Sequence, residues 1–245
     1  MPMPTLLTDT DCVVLAGGFG TRLRSVIGEH QKVAANVDGK PFIGRLLHWL
    51  IAYGARRVIL AVGYQSEDVA AATAPFSDQL ELVLSREDQP LGTAGALRLA
   101  VNNVRTSTLL VLNGDSFFNA DLAALYALHA ANNGVITMAL AYAPDGRRFG
   151  EVNLDSDGRV LSFREKPQSE PAGAIVNAGI YFVSRDFLAS LPERNGTMSL
   201  EKDVLPGLCL TGRLYGLAGK GRLVDIGTPE SYQSAGEILN SEGVL

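Results

Sequence analysis

The stretch from Cys12 to Lys32, CVVLAGGFGTRLRSVIGEHQK, decides how the rest of the chain is read. Cys12 to Ala16 is a short apolar run, the pattern of a buried strand, and Gly17, Gly18 and Gly20 break it at once. Glycine reaches backbone angles closed to other residues and lets main-chain N–H groups come close to a ligand. Thr21 to Ile27 has helical spacing, so the loop is expected to open onto a helix N-terminus, where free N–H groups and the macrodipole favour an anion. Arg22, Arg24 and Lys32 add full positive charges beside it. Glycines alone would make an ordinary strand-to-helix turn. Together with three cations at one strand end, they point to an anion site.

Two familiar phosphate loops do not fit. The dinucleotide fingerprint G-x-G-x-x-G fails because Leu23 stands where the third glycine belongs. Asp38 lies at about the distance of a ribose-binding acid, but it sits in the turn Val37-Asp38-Gly39-Lys40 with no second strand leading to it. The P-loop fails as well, since no Gly-Lys-Ser/Thr follows.

Working outward, strands and helices alternate. Pro41 to Tyr53 reads as a helix stopped by Gly54, Arg57 to Val62 as a strand, and Ser66-Glu67-Asp68 as the cap of an alanine-rich helix. Leu80 to Leu84 and Ser107 to Leu112 are strands, with helices over Thr93 to Val101 and Asp121 to Ala131. This order implies right-handed crossovers and an α/β fold: a doubly wound, mostly parallel, Rossmann-like sheet with ligands at the carboxyl ends of its strands. From about Val135 the texture changes. Strands at Val135 to Tyr142, 152–154, 160–163 and Ile175 to Val183, with an Asp157-Gly158 turn, suggest a smaller antiparallel lobe over the sheet's open edge. Ser199 to Leu210 returns to helix, Leu214 to Leu217 and Arg222 to Ile226 read as strands, and Thr228-Pro229-Glu230 caps a last helix.

The 245 residues suffice for one large domain. A net charge of −5 argues against a nucleic-acid partner, and no apolar run approaches a membrane span. MPMPTLLTDT has no basic start or long apolar core, so a cytoplasmic protein is expected. Cys12 and Cys209 read as two reduced thiols, and His30, His48 and His129 have no metal-ligand spacing. The sequence leaves a homo-oligomer open.

Several polar residues stand out. Asp115 directly follows the apolar run 109–112 and the turn Asn113-Gly114, while Asp225 lies among the apolar residues 223–226. Aspartate is costly to bury unpaired, so both need partners; loop capping and a shared Mg²⁺ are the two readings. Glu165 and Lys166 stand side by side after a strand, and Asn177 is an amide in an apolar strand that must be hydrogen-bonded if buried. Pro90, Gly92 and Gly95, within Glu87 to Ala96, would let a backbone pack against a flat ring.

The run Leu15 to Leu23, L-A-G-G-x-G-T-R-L, with Lys32 downstream, resembles the signature of the sugar-phosphate nucleotidyltransferases. F-x-E-K-P at 163–167, N-A-G at 177–179, the P-L-G-T-A-G loop at 90–95, Arg148-Phe149-Gly150 and the two aspartates follow in that family's order. The resemblance implies a nucleotide-diphospho-sugar transferase fold, with a nucleotide-binding core over about 11–134, a sugar-phosphate part over about 135–227 and a C-terminal helix at 228–245. It implies a nucleoside triphosphate and a sugar 1-phosphate as substrates, Mg²⁺ on Asp115 and Asp225, and catalytic roles for Arg22, Lys32, Asp115, Lys166 and Asp225. Leu15, Gly17, Gly18, Gly20, Thr21, Arg22, Gln89, Gly92 and Thr93 would bind nucleotide; Gly150, Glu165, Lys166 and Asn177 would bind sugar phosphate.

The chain also departs from that family. Gln31 stands before Lys32 where proline is usual, which predicts a looser loop. Arg24-Ser25-Val26-Ile27, with Asn113-Gly114-Asp115-Ser116-Phe117-Phe118, resembles the heptose 1-phosphate guanylyltransferase branch, with mannose-1-phosphate guanylyltransferases as neighbours, and so implies GTP. No hexapeptide pattern of the acyltransferase kind is read in these residues, so no such domain is expected. A non-catalytic sugar-nucleotide sensor is the rival of another class, though retention of the five catalytic matches speaks against it, and a dehydrogenase is a distant third.

Overall fold

The computed structural model describes residues 5–132, 134–145, 148–166, 172–194 and 196–241. Strand β1 (Asp11–Leu15) leads into the glycine loop and a single helical turn, α1 (Arg24–Ile27). A 3-10 turn (Lys32–Ala34) and a hairpin of β2 (Asn36–Val37) with β3 (Lys40–Pro41) precede α2 (Phe42–Ala52). Next come β4 (Arg57–Val62), α3 (Ser66–Thr73), β5 (Glu81–Arg86), α4 (Gly92–Ala100), β6 (Thr108–Asn113), β7 (Ser116–Phe117) and α5 (Leu122–Ala131). The second half contains β8 (Ile136–Asp145), β9 (Gly150–Leu154), β10 (Val160–Glu165), β11 (Ala172–Ser184) and α6 (Arg185–Ser190). It ends with a π turn (Leu200–Val204), α7 (Leu205–Cys209), β12 (Leu214–Ala218), β13 (Val224–Asp225) and α8 (Pro229–Ser241).

The main sheet runs β10-β9-β11-β6-β1-β4-β5, with β8 pairing both β11 and β12. β5, β4, β1 and β6 are mutually parallel. β11 pairs antiparallel with β6, so the antiparallel strands of the second half continue the same sheet. The interiors of β1, β4 and β6 are apolar because both faces of the sheet are covered there, whereas the edge strand β5 carries Glu81, Ser85 and Arg86. Cys12, Val14, Val58, Leu60, Leu110 and Leu112 pack on one side with Phe42, Leu46 and Leu50 of α2. Val13, Ile59, Ala61, Leu109 and Val111 pack on the other with Ala94 and Leu97 of α4.

Four local expectations change. Helix begins only at Arg24, because Thr21 to Leu23 form a turn, so no long helix dipole faces the glycine loop. Ser66 does not cap α3: Gln65 ahead of it is left-handed (φ 54°), and the Ser66 hydroxyl is 3.2 Å from Oε1 of Glu67. The helix expected from Ser199 opens as a π turn capped by the Ser199 hydroxyl before α7 begins. The strand expected over 222–226 is only Val224–Asp225. Both cysteines are free, and Cys12 is buried. Pro167 of the 163–167 motif and residues 242–245 of the expected C-terminal helix lie outside the described residues.

Candidate active site

β1 and β6 run side by side and end together, Leu15 level with Asn113. The Gly114 N–H donates to the Leu15 carbonyl at 2.9 Å, and a Cβ on Gly114 would lie 2.5 Å from that oxygen. The missing side chain brings Asp115 beside the glycine loop. None of the main-chain N–H groups from Gly17 to Arg22 bonds to another described residue. Gly20 takes φ +58° against Lys32, whereas a Cβ on Gly18 would meet nothing within 4 Å. The loop therefore supplies free donors by itself, in place of the helix terminus expected from the sequence.

Asp225 arrives from the far end of the chain. β13 pairs antiparallel with β7, setting Asp225 opposite Ser116, and the Ile226 N–H donates to the Asp115 carbonyl at 3.0 Å. This small ladder makes neighbours of two acids far apart in sequence. Each carboxylate faces a cation: Lys32 pairs with Asp115, and one Arg148 nitrogen donates to both Asp225 oxygens at 2.8 Å. The Gly227 N–H and the Ser231 hydroxyl complete the shell of Asp225 at 2.8 and 3.4 Å.

A cavity of about 670 Å³ opens over these acids. Its walls carry Arg22, Lys32, Arg148, Lys166 and Lys202, with Glu165 and Glu201. Lys166 Nζ lies 3.4 Å from Glu165 Oε1. Burial pushes the Glu165 carboxyl up, Lys166 opposes this, and nearby Glu201 adds to it. Lys166 itself sits in the left-handed region at φ 47°, an uncommon conformation for a residue with a side chain. Asn177 is buried where the register of β11 shifts, donating to the Tyr181 hydroxyl at 2.6 Å and accepting from the Gly179 N–H at 3.0 Å. Its amide thus holds the bulge that turns this part of β11 toward the cavity rim.

A second cavity, about 440 Å³, adjoins the first at Lys32, Thr93, Asn113 and Asp115. Leu15, Val33, Pro90 and Ala96 give it apolar walls, and Gly17, Gly18 and Gly92 border it. Besides Asp115 at the junction, a second carboxylate, Glu87, lines it; its Oε2 accepts from the Leu91 N–H at 3.1 Å, and burial pushes its pKa up.

All the residues given a catalytic or binding role from the sequence line one or both cavities except Gln89, which is exposed; Arg24, counted among the loop's cations, and Gly95 also line neither. Glu87, two positions earlier, is the polar group that points inward. It lies two residues beyond buried Ser85, so the period of the strand already put it on the inner face. Glu201, Lys202 and the Arg148 side chain were also missed. Glu201 and Lys202 looked like the polar start of a helix. The looser loop predicted from Gln31 rested on the missing proline ring. In the structure Gln31 is buried and hydrogen-bonded to Gly18, Tyr64 and Asp68, contacts that the sequence did not indicate.

Comparison with known proteins gives a consistent result. A family model described as nucleotidyl transferase matches residues 11–242. The mannose-1-phosphate guanylyltransferase of Mycobacterium tuberculosis is 36% identical over 228 residues, which take in 91% of this chain and 62% of that protein. The D-glycero-alpha-D-manno-heptose 1-phosphate guanylyltransferase of Aneurinibacillus thermoaerophilus is 31% identical, over 94% of this chain and 98% of that one. The chain thus spans less than two thirds of the first relative and nearly all of the second. Among solved structures, HddC from Yersinia pseudotuberculosis in complex with GMP-PN superposes with a TM-score of 0.79 at 31% identity, covering 93% of this chain and 98% of that one. On this evidence the chain belongs to the nucleotidyl transferase family, in its sugar-phosphate branch.

Proposed function

We propose that the protein joins GTP and a sugar 1-phosphate into a GDP-sugar, releasing pyrophosphate, and that the sugar is D-glycero-α-D-manno-heptose. The observation that carries the reading is the junction of the two cavities: two acids held together by β7 and β13, ringed by Arg22, Lys32, Arg148 and Lys166. A phosphate oxygen of the sugar 1-phosphate attacks the α-phosphorus. The bond from that phosphorus to the bridging oxygen breaks, and pyrophosphate leaves with the electron pair. Both reactants are polyanions, so the work of the site is to neutralise and align them. Arg22, Lys32 and the N–H groups of the glycine loop would take the triphosphate. Lys166 would hold the sugar phosphate, with Glu165 and Asn177 toward the sugar hydroxyls. The attacking phosphate is already ionised near neutral pH, so no general base is required.

Mg²⁺ fits the acid pair. Among the described residues no group of three or more His, Cys, Asp or Glu could hold a metal, which leaves no cage built from protein alone. Mg²⁺ takes one or two carboxylates and completes its shell with water and phosphate oxygens. Lys32 and Arg148 against Asp115 and Asp225 mark both carboxylates as places that accept positive charge. When bound there, the ion would supply charge neutralisation at the transferring phosphate.

GTP is favoured by Glu87. The Watson–Crick edge of guanine offers two adjacent N–H donors, which a carboxylate accepts together. Pyrophosphate release is therefore expected to be fastest with GTP, slower with ITP, which lacks the 2-amino group, and slowest with ATP and UTP. Glu87→Gln should narrow the gap between GTP and ITP. The raised pKa of Glu87 means that its ionised form is lost on acidification at a pH above the usual carboxylate range, so KM for GTP rises from there downward. The assay also separates sugars. Mannose 1-phosphate is the second reading, favoured by the 36% identity to a mannose-1-phosphate guanylyltransferase. No turnover with any pair of substrates would favour a non-catalytic sugar-nucleotide sensor.

The loop offers a further check. Gly18→Ala adds a methyl where no protein atom stands within 4 Å. The thermal midpoint should stay within about 2 °C, while calorimetry should show GTP binding weakened by about tenfold or more. Unchanged affinity would move the triphosphate away from Gly18.

A further inference from the structure

We propose that Gln31 is a positioning residue that holds the glycine loop in its binding shape; the role in affinity rests on the nucleotide reading above. Gln31 is 1% exposed. Its Nε2 donates to the Gly18 carbonyl at 3.0 Å and to the Tyr64 carbonyl at 3.1 Å. Both neighbours are acceptors, so only the NH₂ end of the amide can face them, and both of its hydrogens are used. Oε1 is left buried with no hydrogen-bond partner among the described residues.

The main chain of the same residue makes a third tie. Its N–H donates to Asp68 Oδ2, in the first turn of α3, at 2.8 Å. One side chain and its own backbone therefore join the glycine loop, the segment after β4 and the start of α3. Lys32, the next residue, reaches Asp115. The amide thus fixes the loop that would take the triphosphate, and its backbone fixes the base of the lysine beside it.

The loop needs such a tie. Its N–H groups from Gly17 to Arg22 have no partners in the described protein, and three of its residues are glycine, which has the most conformational freedom to lose. Without an anchor, a ligand would have to order the loop at the expense of its own affinity. The anchor comes at a cost, because an orphaned carbonyl oxygen is unfavourable in the interior. An apolar residue of the same length would avoid that orphan but could not grip Gly18.

Gln31→Met keeps length and burial and removes both donors. GTP affinity by calorimetry and KM for GTP should worsen roughly tenfold, as expected from two lost hydrogen bonds. kcat and KM for the sugar 1-phosphate should stay within about twofold, and the thermal midpoint within about 4 °C. Limited trypsin cleavage after Arg22 and Arg24 should become several-fold faster in the free protein. Gln31→Glu, which turns a carboxylate toward two carbonyls, should act in the same direction and more strongly. Unchanged GTP affinity and unchanged cleavage in both variants would overturn the proposal. So would an equal loss in kcat, both KM values and stability, which would mark a general structural role. If cleavage accelerates but even the wild type binds no GTP, the tie stands and the nucleotide reading falls.

Discussion

Asp115→Ala is expected to lower kcat by on the order of 10³ or more while leaving the fold in place. The Asp115 side chain is 38% exposed, so its removal opens no cavity in the core. Its backbone contacts, the carbonyl to Ile226 and the neighbouring Gly114 to Leu15, do not depend on the carboxylate. The loss falls on charge. Lys32, 14% exposed, keeps its ammonium but loses its partner, which should lower the melting temperature by a few degrees. Asp115→Asn preserves shape and should be nearly as inactive, because on the proposed reading the site would need a full negative charge to retain a divalent ion. Mn²⁺ binding followed by electron paramagnetic resonance should weaken in both variants. A fully active Asp115→Ala enzyme would remove this acid from the chemistry.

Lys166→Gly should move stability and activity in opposite directions. At φ 47° any residue with a Cβ is strained, and glycine relieves that strain. After allowance for the greater freedom of glycine in the unfolded chain, the net gain is up to about 1 kcal/mol, read as a melting temperature higher by about 2–4 °C. The ion pair to Glu165 offsets little of this, since the Lys166 side chain is 49% exposed. kcat/KM for the sugar 1-phosphate should fall by about 10²–10³, because on the proposed reading the cation that would hold the sugar phosphate is lost. Lys166→Ala should lose as much activity without the gain in stability. Equal activity in the glycine variant would place the sugar phosphate elsewhere.

The parallel half of the fold was legible because its strands are buried on both faces. An uninterrupted run such as Arg57 to Val62 has few other uses, and β4 spans just those residues. Local polar detail was less legible. Thr21 to Leu23 carries helical spacing, yet the three residues form a turn, because the loop is fixed by distant partners that no local pattern encodes. The same holds for the lining of the second cavity. The sequence singled out Gln89 from its motif, while the strand period, counted from Ser85, would have selected Glu87. That Asp115 and Asp225 meet could not be read from either local stretch. It came from the resemblance, and the pairing of β7 with β13 supplies the physical reason.

That pairing also sets an order of events during synthesis. β1, β4 and β5 find all their sheet neighbours within the first half of the chain, and β6 finds one of its two there, so these four can assemble before β11 is made. Asp225 is made more than 100 residues after β6, and is held by a two-residue ladder and by α8, whose Tyr232 and Asn240 fasten to the early hairpin at Asn36 and Asp38. On the reading proposed above, a nascent chain would therefore hold the glycine loop and Asp115 well before Asp225 joins them, and turnover would begin only once β13 and α8 fold back onto the first half.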